Sequence, residues 1–195
     1  MKVALFGGTF DPVHKGHVKA ALSLLEFTDC EEVWFIPVYW HVYKRAENVS
    51  DISHRKKMIE IAIAGKPGLK LVDFNENPTY TIETIHKAKR SFPDNEYVWA
   101  IGSDLVQEFD SWKDASQILE VAKVIVVPEP GFEGLEGSLL SEEKGNCIIL
   151  WDAPRVDLSS TGVRQKLLQG EDVSPLVNAS VLQYIKKNNL YRNNK

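Results

Sequence analysis

Short apolar runs alternate with amphipathic stretches along the chain, and the first three segments set this pattern. Residues 3–6 form an apolar run that ends at glycine, which predicts a buried strand. From His17 onward, apolar residues recur at the i, i+3, i+4, i+7 spacing of one helix face; they are Val18, Ala21, Leu22 and Leu25. Residues 32–36 are rich in β-forming side chains and predict a second strand. The chain therefore opens as strand, helix, strand.

The same alternation continues through the rest of the sequence. We expect further strands over 69–74, 97–101, 124–127 and 147–151. We expect further helices from a Ser53 N-cap, over 79–90, 115–121 and 159–168, and after an Asn178 N-cap. Residues 129–144 lack periodicity and are expected to form a surface loop.

Strands that alternate with helices in this way predict an α/β fold. The expected form is a Rossmann-like, doubly wound, mostly parallel sheet with helices on both faces and right-handed crossovers. At 195 residues we expect one domain, 1–195, whose C-terminal helical part covers about 159–190. Ligands of such sheets bind beyond the carboxyl ends of the strands, where the strand order reverses. The loops at that edge are therefore the place to look for function.

Composition narrows the class of protein. With 23 Lys and Arg against 27 Asp and Glu, the chain is mildly acidic, so we expect no nucleic-acid partner. The basic group at 54–57 is interpreted as a solvated helix face. No apolar run approaches the roughly 18 residues of a membrane span, and residues 1–6 are too short for an export signal, so we expect a cytoplasmic protein without a membrane partner. Cys30 and Cys147 form no CxxC pair and are expected to be reduced.

The loop that joins the first strand to the first helix, residues 7–17, has the features of an anion-binding turn. Its paired glycines let the backbone turn sharply and approach a ligand closely. His14 and His17 are spaced to stack on one face of the helix start, and Gly16 leaves room for an anion at the positive helix end. Two histidines at this spacing are in general structural residues, and a metal site would need more ligands, but the paired glycines of this strand-to-helix turn favour a ligand-binding role. The loop lacks both the Walker A and the GxGxxG spacing.

A second helix start, over residues 159–168, is a further candidate. Its hydroxyl residues Ser159, Ser160 and Thr161 are ordinary N-cap material, and a capped helix alone would explain them. However, no Glu or Gln stands three residues after any of them, so the capping box is incomplete and amide donors stay free for an anion. Arg164 adds a planar fork that matches phosphate oxygens. A polyphosphate between the two helix starts would meet imidazoles on one side and a guanidinium on the other.

These two segments resemble the nucleotidyltransferases that carry an HxGH loop, here residues 14–17, and a serine/threonine-arginine motif near the C-terminus, here 159–164. Within that superfamily the chain is similar to the bacterial nicotinate-nucleotide adenylyltransferase branch, over residues 1 to about 190. Further segments carry the similarity: GGTFDP at 7–12, His54-Arg55 with Met58, Tyr80-Thr81 within PTYTIET, and Gly102-Ser103-Asp104 followed by Trp112.

The resemblance implies an adenylyl transfer in NAD synthesis. ATP and nicotinate mononucleotide would give nicotinate adenine dinucleotide and pyrophosphate by in-line attack, with Mg²⁺ accompanying ATP and no metal ligand expected from the protein. The implied catalytic residues are His14, His17 and Arg164. The implied ATP contacts also include Gly7, Gly8, Thr9, Phe10, Gly102, Asp104, Ser159, Ser160 and Thr161. The implied contacts to the pyridine mononucleotide are Lys44, Thr81, Asp104 and Trp112.

The departures from the family pattern lie on the acceptor side. The family's usual Pro-Pro-His-Lys is replaced by His41-Val42-Tyr43-Lys44, and Lys113 follows Trp112 where many members carry Tyr or His. A cation at 113 could favour the carboxylate of nicotinate. Taken alone, Trp112 suits core packing and Lys44 suits a surface position. Two other functions stay open: adenylyl transfer to nicotinamide mononucleotide or another phosphorylated metabolite, and ATP binding without turnover. The sequence does not indicate an oligomeric state.

Overall fold

The computed structural model describes residues 1–38, 49–74 and 80–192. The strands are β1 (Lys2–Gly8), β2 (Glu32–Pro37), β3 (Leu69–Leu71), β4 (Glu96–Gly102), β5 (Lys123–Val127) and β6 (Cys147–Ile149). The helices are α1 (Lys15–Phe27), α2 (Ile52–Ile63), α3 (Thr81–Ser91), α4 (Val106–Phe109), α5 (Ala115–Val121), α6 (Ser160–Gln169) and α7 (Ala179–Lys187). A 3₁₀ turn, Ser103–Leu105, precedes α4.

The six strands form one parallel sheet in the order β3-β2-β1-β4-β5-β6. In the register of the centre, Leu5 of β1 lies between Trp34 of β2 and Trp99 of β4. The chain runs outward from β1 to β3 and then returns to place β4 on the other side of β1. The strand order therefore reverses between β1 and β4, and the predicted doubly wound α/β fold is confirmed.

The central strand β1 is buried on both faces because a hydrophobic layer covers each side of the sheet. Ala4 and Phe6 belong to one layer, completed by residues of α1, α2 and α7, among them Leu24, Met58, Ile59, Val181 and Ile185. Val3 and Leu5 belong to the other layer, completed by residues of α3 and α5, among them Ile82, Ile85 and Ile118. Each fully buried side chain of this kind contributes about 1.5–3 kcal/mol. The continuous apolar run at the start of the chain is thus explained by burial on both sides.

The structure corrects the sequence expectations at several element ends. α2 is capped by Asp51 and not by Ser53, because the Asp51 carboxylate accepts the Ser53 amide at 2.8 Å. β3 and β6 each span three residues and end earlier than expected, at Leu71 and Ile149. The single turn of α4 was not predicted, because four residues are too few to show a helical period. Residues 129–144 contain no helix or strand, as expected.

Neither of the two cysteines forms a disulfide; both Cys30 and Cys147 are free and buried. Burial raises the pKa of the Cys147 thiol to about 12, so that side chain stays protonated and packs as a small apolar group. In the described parts of the chain, each helix is too short or too polar to cross a lipid bilayer.

Gly7 lies at the carboxyl end of β1, where the ring of Trp99 crosses the strand. A Cβ at position 7 would sit 2.8 Å from two carbons of that ring, which is closer than carbon atoms approach. Trp99 is 5% exposed, and within the described residues its Nε1–H has no hydrogen-bond partner, so packing alone holds the ring. The absence of a side chain at position 7 therefore fixes how closely β4 and its tryptophan approach β1 at the reversal point.

We expect Gly7→Ala to lower the free energy of unfolding by about 1–3 kcal/mol, the usual cost of forcing an extra methyl into a packed site. Gly134→Ala is the matched control, since a Cβ there would meet nothing within 4 Å. Urea denaturation of the two variants measures the difference. Equal stability of both variants would show that the Trp99 ring moves aside at no cost.

Candidate active site

The first turn of α1 is capped by two histidines, each of which accepts the backbone N–H of the other. Nδ1 of His14 accepts the backbone N–H of His17 at 3.3 Å, and Nδ1 of His17 accepts the backbone N–H of His14 at 3.2 Å. The rings stack with centroids 3.6 Å apart and planes 22° apart. This is the geometry of a capping box, in which two imidazoles replace the usual hydroxyl and carboxylate. The predicted stacking of the two rings on one face is therefore present.

This arrangement sets the protonation state of both rings. Because each Nδ1 accepts a hydrogen bond, a neutral ring carries its proton on Nε2. Burial lowers the pKa of His14 to about 4. Burial, together with the neighbouring His14, holds the pKa of His17 well below its usual range. At neutral pH the pair therefore offers two Nε2–H donors and no net charge.

Gly16 stands between the two histidines for a reason the sequence did not indicate. A Cβ at this position would lie 2.9 Å from Nδ1 of His14 and 3.4 Å from Cβ of Leu158, which precedes α6. A side chain there would press on the capping imidazole and would touch the residue before the second helix start. The expectation that Gly16 leaves room for an anion stays a prediction, but the room is needed by His14 in any case.

Phe10 faces the core, and only its backbone faces the loop. The side chain is 2% exposed, and its ring meets that of His17 edge to face with centroids 5.0 Å apart. The residue adopts a left-handed backbone with φ of +50°. A Cβ on Gly8 would lie 2.8 Å from this ring, so the glycine lets the phenylalanine tuck beneath the loop. Phe10 thus supports His17 from below, a contact that sequence spacing could not show.

Arg55 holds the base of the site together and corrects the interpretation of 54–57 as a solvated face. It is 1% exposed, and its guanidinium donates to three backbone carbonyls: Thr9 at 2.8 Å, Val38 at 2.8 Å and Ser50 at 2.9 Å. A signal for this burial was present in the sequence. Arg55 precedes Met58, Ile59 and Ala62 at the helical spacing of the buried face of α2.

The start of α6 is joined directly to the loop after β1. Ser160 Oγ donates to the Pro12 carbonyl at 2.9 Å, and the Arg164 guanidinium donates to the Asp11 carbonyl at 2.6 Å. A second nitrogen of Arg164 donates to Thr161 Oγ1 at 3.2 Å. Ser159 caps the helix by accepting the Gly162 amide at 3.0 Å. Two segments about 150 residues apart in the chain therefore present their amino ends at one place.

The carboxyl end of β4 adds acidic groups beside these helix starts. Asp104 Oδ1 and Glu129 Oε1 lie 2.6 Å and 3.5 Å from the point where a Cβ on Gly102 would sit. Ser103 Oγ accepts the Glu129 amide at 2.8 Å and so holds the loop after β5 against this turn. Burial, then the charges of Asp104 and Asp157, raise the pKa of Glu129 to about 7. Carboxylates here suit hydroxyl donors, such as those of a ribose, better than phosphate. Sequence reasoning missed Glu129.

On the opposite side of β1, the start of α3 is tied to the segment after α4. Glu83 accepts the backbone N–H of Tyr80 at 3.2 Å and the Lys113 ammonium at 2.8 Å. The ammonium also lies 4.2 Å from the centroid of the Tyr80 ring. Lys113 is therefore paired with a carboxylate, and whether it also favours the carboxylate of nicotinate stays a prediction.

These contacts bring two of the predicted acceptor residues onto neighbouring segments. Thr81 is the first residue of α3, directly after Tyr80, and Trp112 directly precedes Lys113. The Trp112 ring is partly buried and packs on Phe109 with centroids 5.3 Å apart. Lys44, another of the four predicted acceptor residues, lies outside the described residues, as does the rest of the His41-Val42-Tyr43-Lys44 sequence.

A parallel sheet that reverses at β1, with two helix starts and an HxGH pair at the reversal, is the arrangement typical of nucleotide-binding α/β proteins. Residues 5–166 match the cytidylyltransferase-like family, and the chain belongs to that family. Within it, the chain is 34% identical to a probable nicotinate-nucleotide adenylyltransferase of Bacillus pumilus, over 97% of this chain and 98% of that one.

Two further comparisons concern the relatives and the fold. The nicotinate-nucleotide adenylyltransferase of Bacillus subtilis is 31% identical over 97% of this chain and 98% of its own length. The structure of Plasmodium falciparum nicotinic acid mononucleotide adenylyltransferase complexed with NaAD superposes with a TM-score of 0.79, at 20% identity, over 97% of each chain. The second likeness concerns the fold alone.

The lowered pKa of His14 predicts a loss of stability in mild acid. The unfolded imidazole takes up a proton near pH 6.5, whereas the folded one does so at about 4. Between these values the unfolded state binds more protons, so the free energy of unfolding falls as the pH drops. We expect His14→Asn, which keeps an N-cap acceptor, to show a shallower fall in urea denaturation between about pH 7 and about pH 5. With His86→Asn as control, equal slopes for wild type and His14→Asn would contradict the assignment.

Proposed function

We propose that this protein transfers AMP from ATP to nicotinate mononucleotide, giving nicotinate adenine dinucleotide and pyrophosphate. The observation that carries the proposal is the direct hydrogen bond from Arg164 of α6 to the Asp11 carbonyl before α1, which makes two helix starts one anion-binding place. The names of relatives that match nearly the whole chain agree with this reaction. The reaction belongs to NAD synthesis.

The triphosphate of ATP would lie across the two helix starts. The Nε2–H groups of His14 and His17 would donate to phosphate oxygens, and Arg164 with the first-turn hydroxyls of α6 would hold the β- and γ-phosphates. Gly7, Gly8, Thr9 and Phe10 would contribute backbone, since the Phe10 side chain is buried beneath the loop. The adenosine would extend toward Gly102 and Asp104, whose carboxylate suits a ribose hydroxyl.

The chemistry would be one in-line displacement. A phosphate oxygen of the mononucleotide attacks the α-phosphorus of ATP, the bond from that phosphorus to the bridging α–β oxygen breaks, and pyrophosphate leaves. The protein forms no covalent intermediate, so its task is to position the two phosphates and to stabilise charge that develops on the leaving group. Neutral imidazoles can take part in this because each keeps one donor, the Nε2–H, while its Nδ1 accepts a backbone amide.

Mg²⁺ would accompany ATP and neutralise phosphate charge, with phosphate oxygens and water as most of its ligands. The donors around the two helix starts are imidazole N–H, hydroxyl and guanidinium groups, which are complementary to phosphate oxygens and not to a cation. Over 1–38, 49–74 and 80–192, no group of three or more His, Cys, Asp and Glu side chains is arranged to hold a metal.

The acceptor would bind on the α3 side of β1. Trp112 offers a ring for the pyridine, Thr81 offers the amino end of α3, and Lys44 would meet the mononucleotide phosphate. The bridge from Lys113 to Glu83 would hold the two described segments at a fixed separation. Asp104, at the end of the next strand, would contact the acceptor ribose from the other side.

For the leading reaction, we expect His17→Ala to lower turnover by about 10² or more, because it removes a donor to the developing charge. The helix also loses one cap bond, worth about 1 kcal/mol, so the variant should stay folded by circular dichroism. The measurement is pyrophosphate release from ATP and nicotinate mononucleotide. Lys19→Ala, at an exposed position of α1, is the control. A loss of only a few-fold would count heavily against the role of His17.

No pyrophosphate from any acceptor, together with measurable ATP binding, would favour the nucleotide-binding alternative. A panel of nicotinate mononucleotide, nicotinamide mononucleotide and other phosphorylated metabolites tests the choice of acceptor. We expect the nicotinate form to be preferred.

We expect the preference for nicotinate over nicotinamide mononucleotide to change less than about fivefold in Lys113→Ala. Lys113 is already paired with Glu83, and both side chains are 44% exposed. A contact between an exposed lysine and the nicotinate carboxylate would therefore contribute at most about 1 kcal/mol, which corresponds to about fivefold. The measurement is the ratio of kcat/KM values for the two acceptors, with Lys123→Ala as control. Collapse of the preference would show that Lys113 leaves Glu83 and meets the nicotinate carboxylate.

A further inference from the structure

Asp11 is a buried carboxylate beneath the proposed triphosphate site. The residue is 1% exposed. Its Oδ2 accepts the Ser50 amide at 3.1 Å, and its Oδ1 accepts the hydroxyl of Tyr191. Its own carbonyl accepts the Arg164 guanidinium at 2.6 Å. Asp11 is therefore the residue through which the C-terminal segment reaches the arginine of α6.

Tyr191 follows the last helix and is turned back onto the core. Both Asn189 and Tyr191 adopt a left-handed backbone, with φ of +51° and +56°, which reverses the chain after α7. The Tyr191 ring packs on the hydrophobic layer that contains Phe6 and Phe10. Burial, then the charge of Asp11, raise the pKa of Tyr191, so its hydroxyl keeps its proton and acts as a donor. The ring of Tyr191 thus packs against the core, while its hydroxyl separately binds Asp11.

The hydrogen bond from Tyr191 to Asp11 belongs to a connected network below the loop after β1. Ser50, which donates to Asp11, uses its carbonyl to accept Arg55, and Arg55 also holds the Thr9 carbonyl. A buried carboxylate that lost one of its donors would have to shift or admit water. A shift that reaches the Asp11 backbone would move its carbonyl and, with it, the Arg164 guanidinium that donates to that carbonyl.

We propose that Tyr191 is a positioning residue of the triphosphate site: its hydroxyl fixes Asp11, and Asp11 in turn orients Arg164 toward the β- and γ-phosphates. The proposal rests on the proposed function for its readout, but not for its geometry. Tyr191 would not touch substrate. Its effect would be felt in the binding of ATP and would pass through Arg164.

The test is Tyr191→Phe, which keeps the ring and removes the hydroxyl. Tyr184→Phe is the matched control, because the Tyr184 hydroxyl pairs with His54 Nδ1 at 2.9 Å between α2 and α7. We expect Tyr191→Phe to raise KM for ATP roughly tenfold, the effect of losing one hydrogen bond to a charged group. We expect kcat and KM for the mononucleotide to change little, and Tyr184→Phe to behave as wild type. A lower thermal midpoint with unchanged KM for ATP would make Tyr191 a structural residue and overturn the proposal.

A double-mutant cycle decides whether the effect passes through Arg164. In the Arg164→Ala background we expect Tyr191→Phe to raise KM for ATP less than about twofold, since the residue it orients is gone. A full tenfold effect in that background would overturn the proposal. Asp11→Asn, which keeps the shape of the side chain and one acceptor oxygen, takes the place of Tyr191→Phe if the latter fails to fold.

Calorimetric titration with ATP separates this proposal from the proposed function. If the wild-type protein released no pyrophosphate with any acceptor, adenylyl transfer would be wrong. Weaker ATP binding by Tyr191→Phe than by Tyr184→Phe would then still support the positioning role. Equal binding by both variants would remove it, whatever reaction the enzyme performs.

Discussion

The geometry of the crevice depends on how the carbonyl groups around the end of β1 are satisfied away from water. Arg55 is 1% exposed and gathers the carbonyls of Thr9, Val38 and Ser50. A guanidinium can be buried this deeply only when its donors are paired. The C=O and N–H of one peptide unit point in opposite directions, so a Thr9 carbonyl turned inward leaves the Phe10 amide turned outward. By binding the Thr9 carbonyl, the buried Arg55 guanidinium thus leaves the Phe10 N–H pointing outward, where an anion could accept it.

In the two histidines, too, one side chain serves two purposes. Their Nδ1 atoms cap the first turn of α1, which leaves the Nε2–H on the other edge of each ring for the phosphate contact that we propose. Burial lowers the pKa of both rings, and the pKa of His17 is lowered further by repulsion from a charge on His14, whose ring centroid lies 3.6 Å away. In the proposed reaction, an uncharged pair would contact the triphosphate without a change of protonation. Positive charge opposite the phosphates would then come from Arg164 and from the amino ends of α1 and α6.

The repeating parts of this structure could be predicted from the sequence, and the pairings between distant residues could not. The apolar run at 3–6 predicted β1 because a strand buried on both faces is apolar throughout. The spacing from His17 predicted α1 because a helix buried on one face repeats its apolar residues every three or four positions. The His14–His17 stack also followed from local spacing. By contrast, the Arg164 bond to Asp11 spans 153 residues and the Tyr191 bond to Asp11 spans 180, and neither leaves a period to detect. Glu129 became visible only when the loop after β5 was placed beside Gly102.

Arg55 has one more consequence, which concerns how such proteins diversify. Val38 and Ser50 stand on either side of residues 39–48, and both are tied to the same guanidinium. The residues that flank this stretch are thus held in place whatever amino acids lie between them. These contacts of Arg55 use backbone carbonyls outside 39–48, so they do not depend on which side chains stand at those positions. If that stretch meets the acceptor as we propose, substitutions there can change the acceptor while the backbone around Thr9 keeps its contact with Arg55.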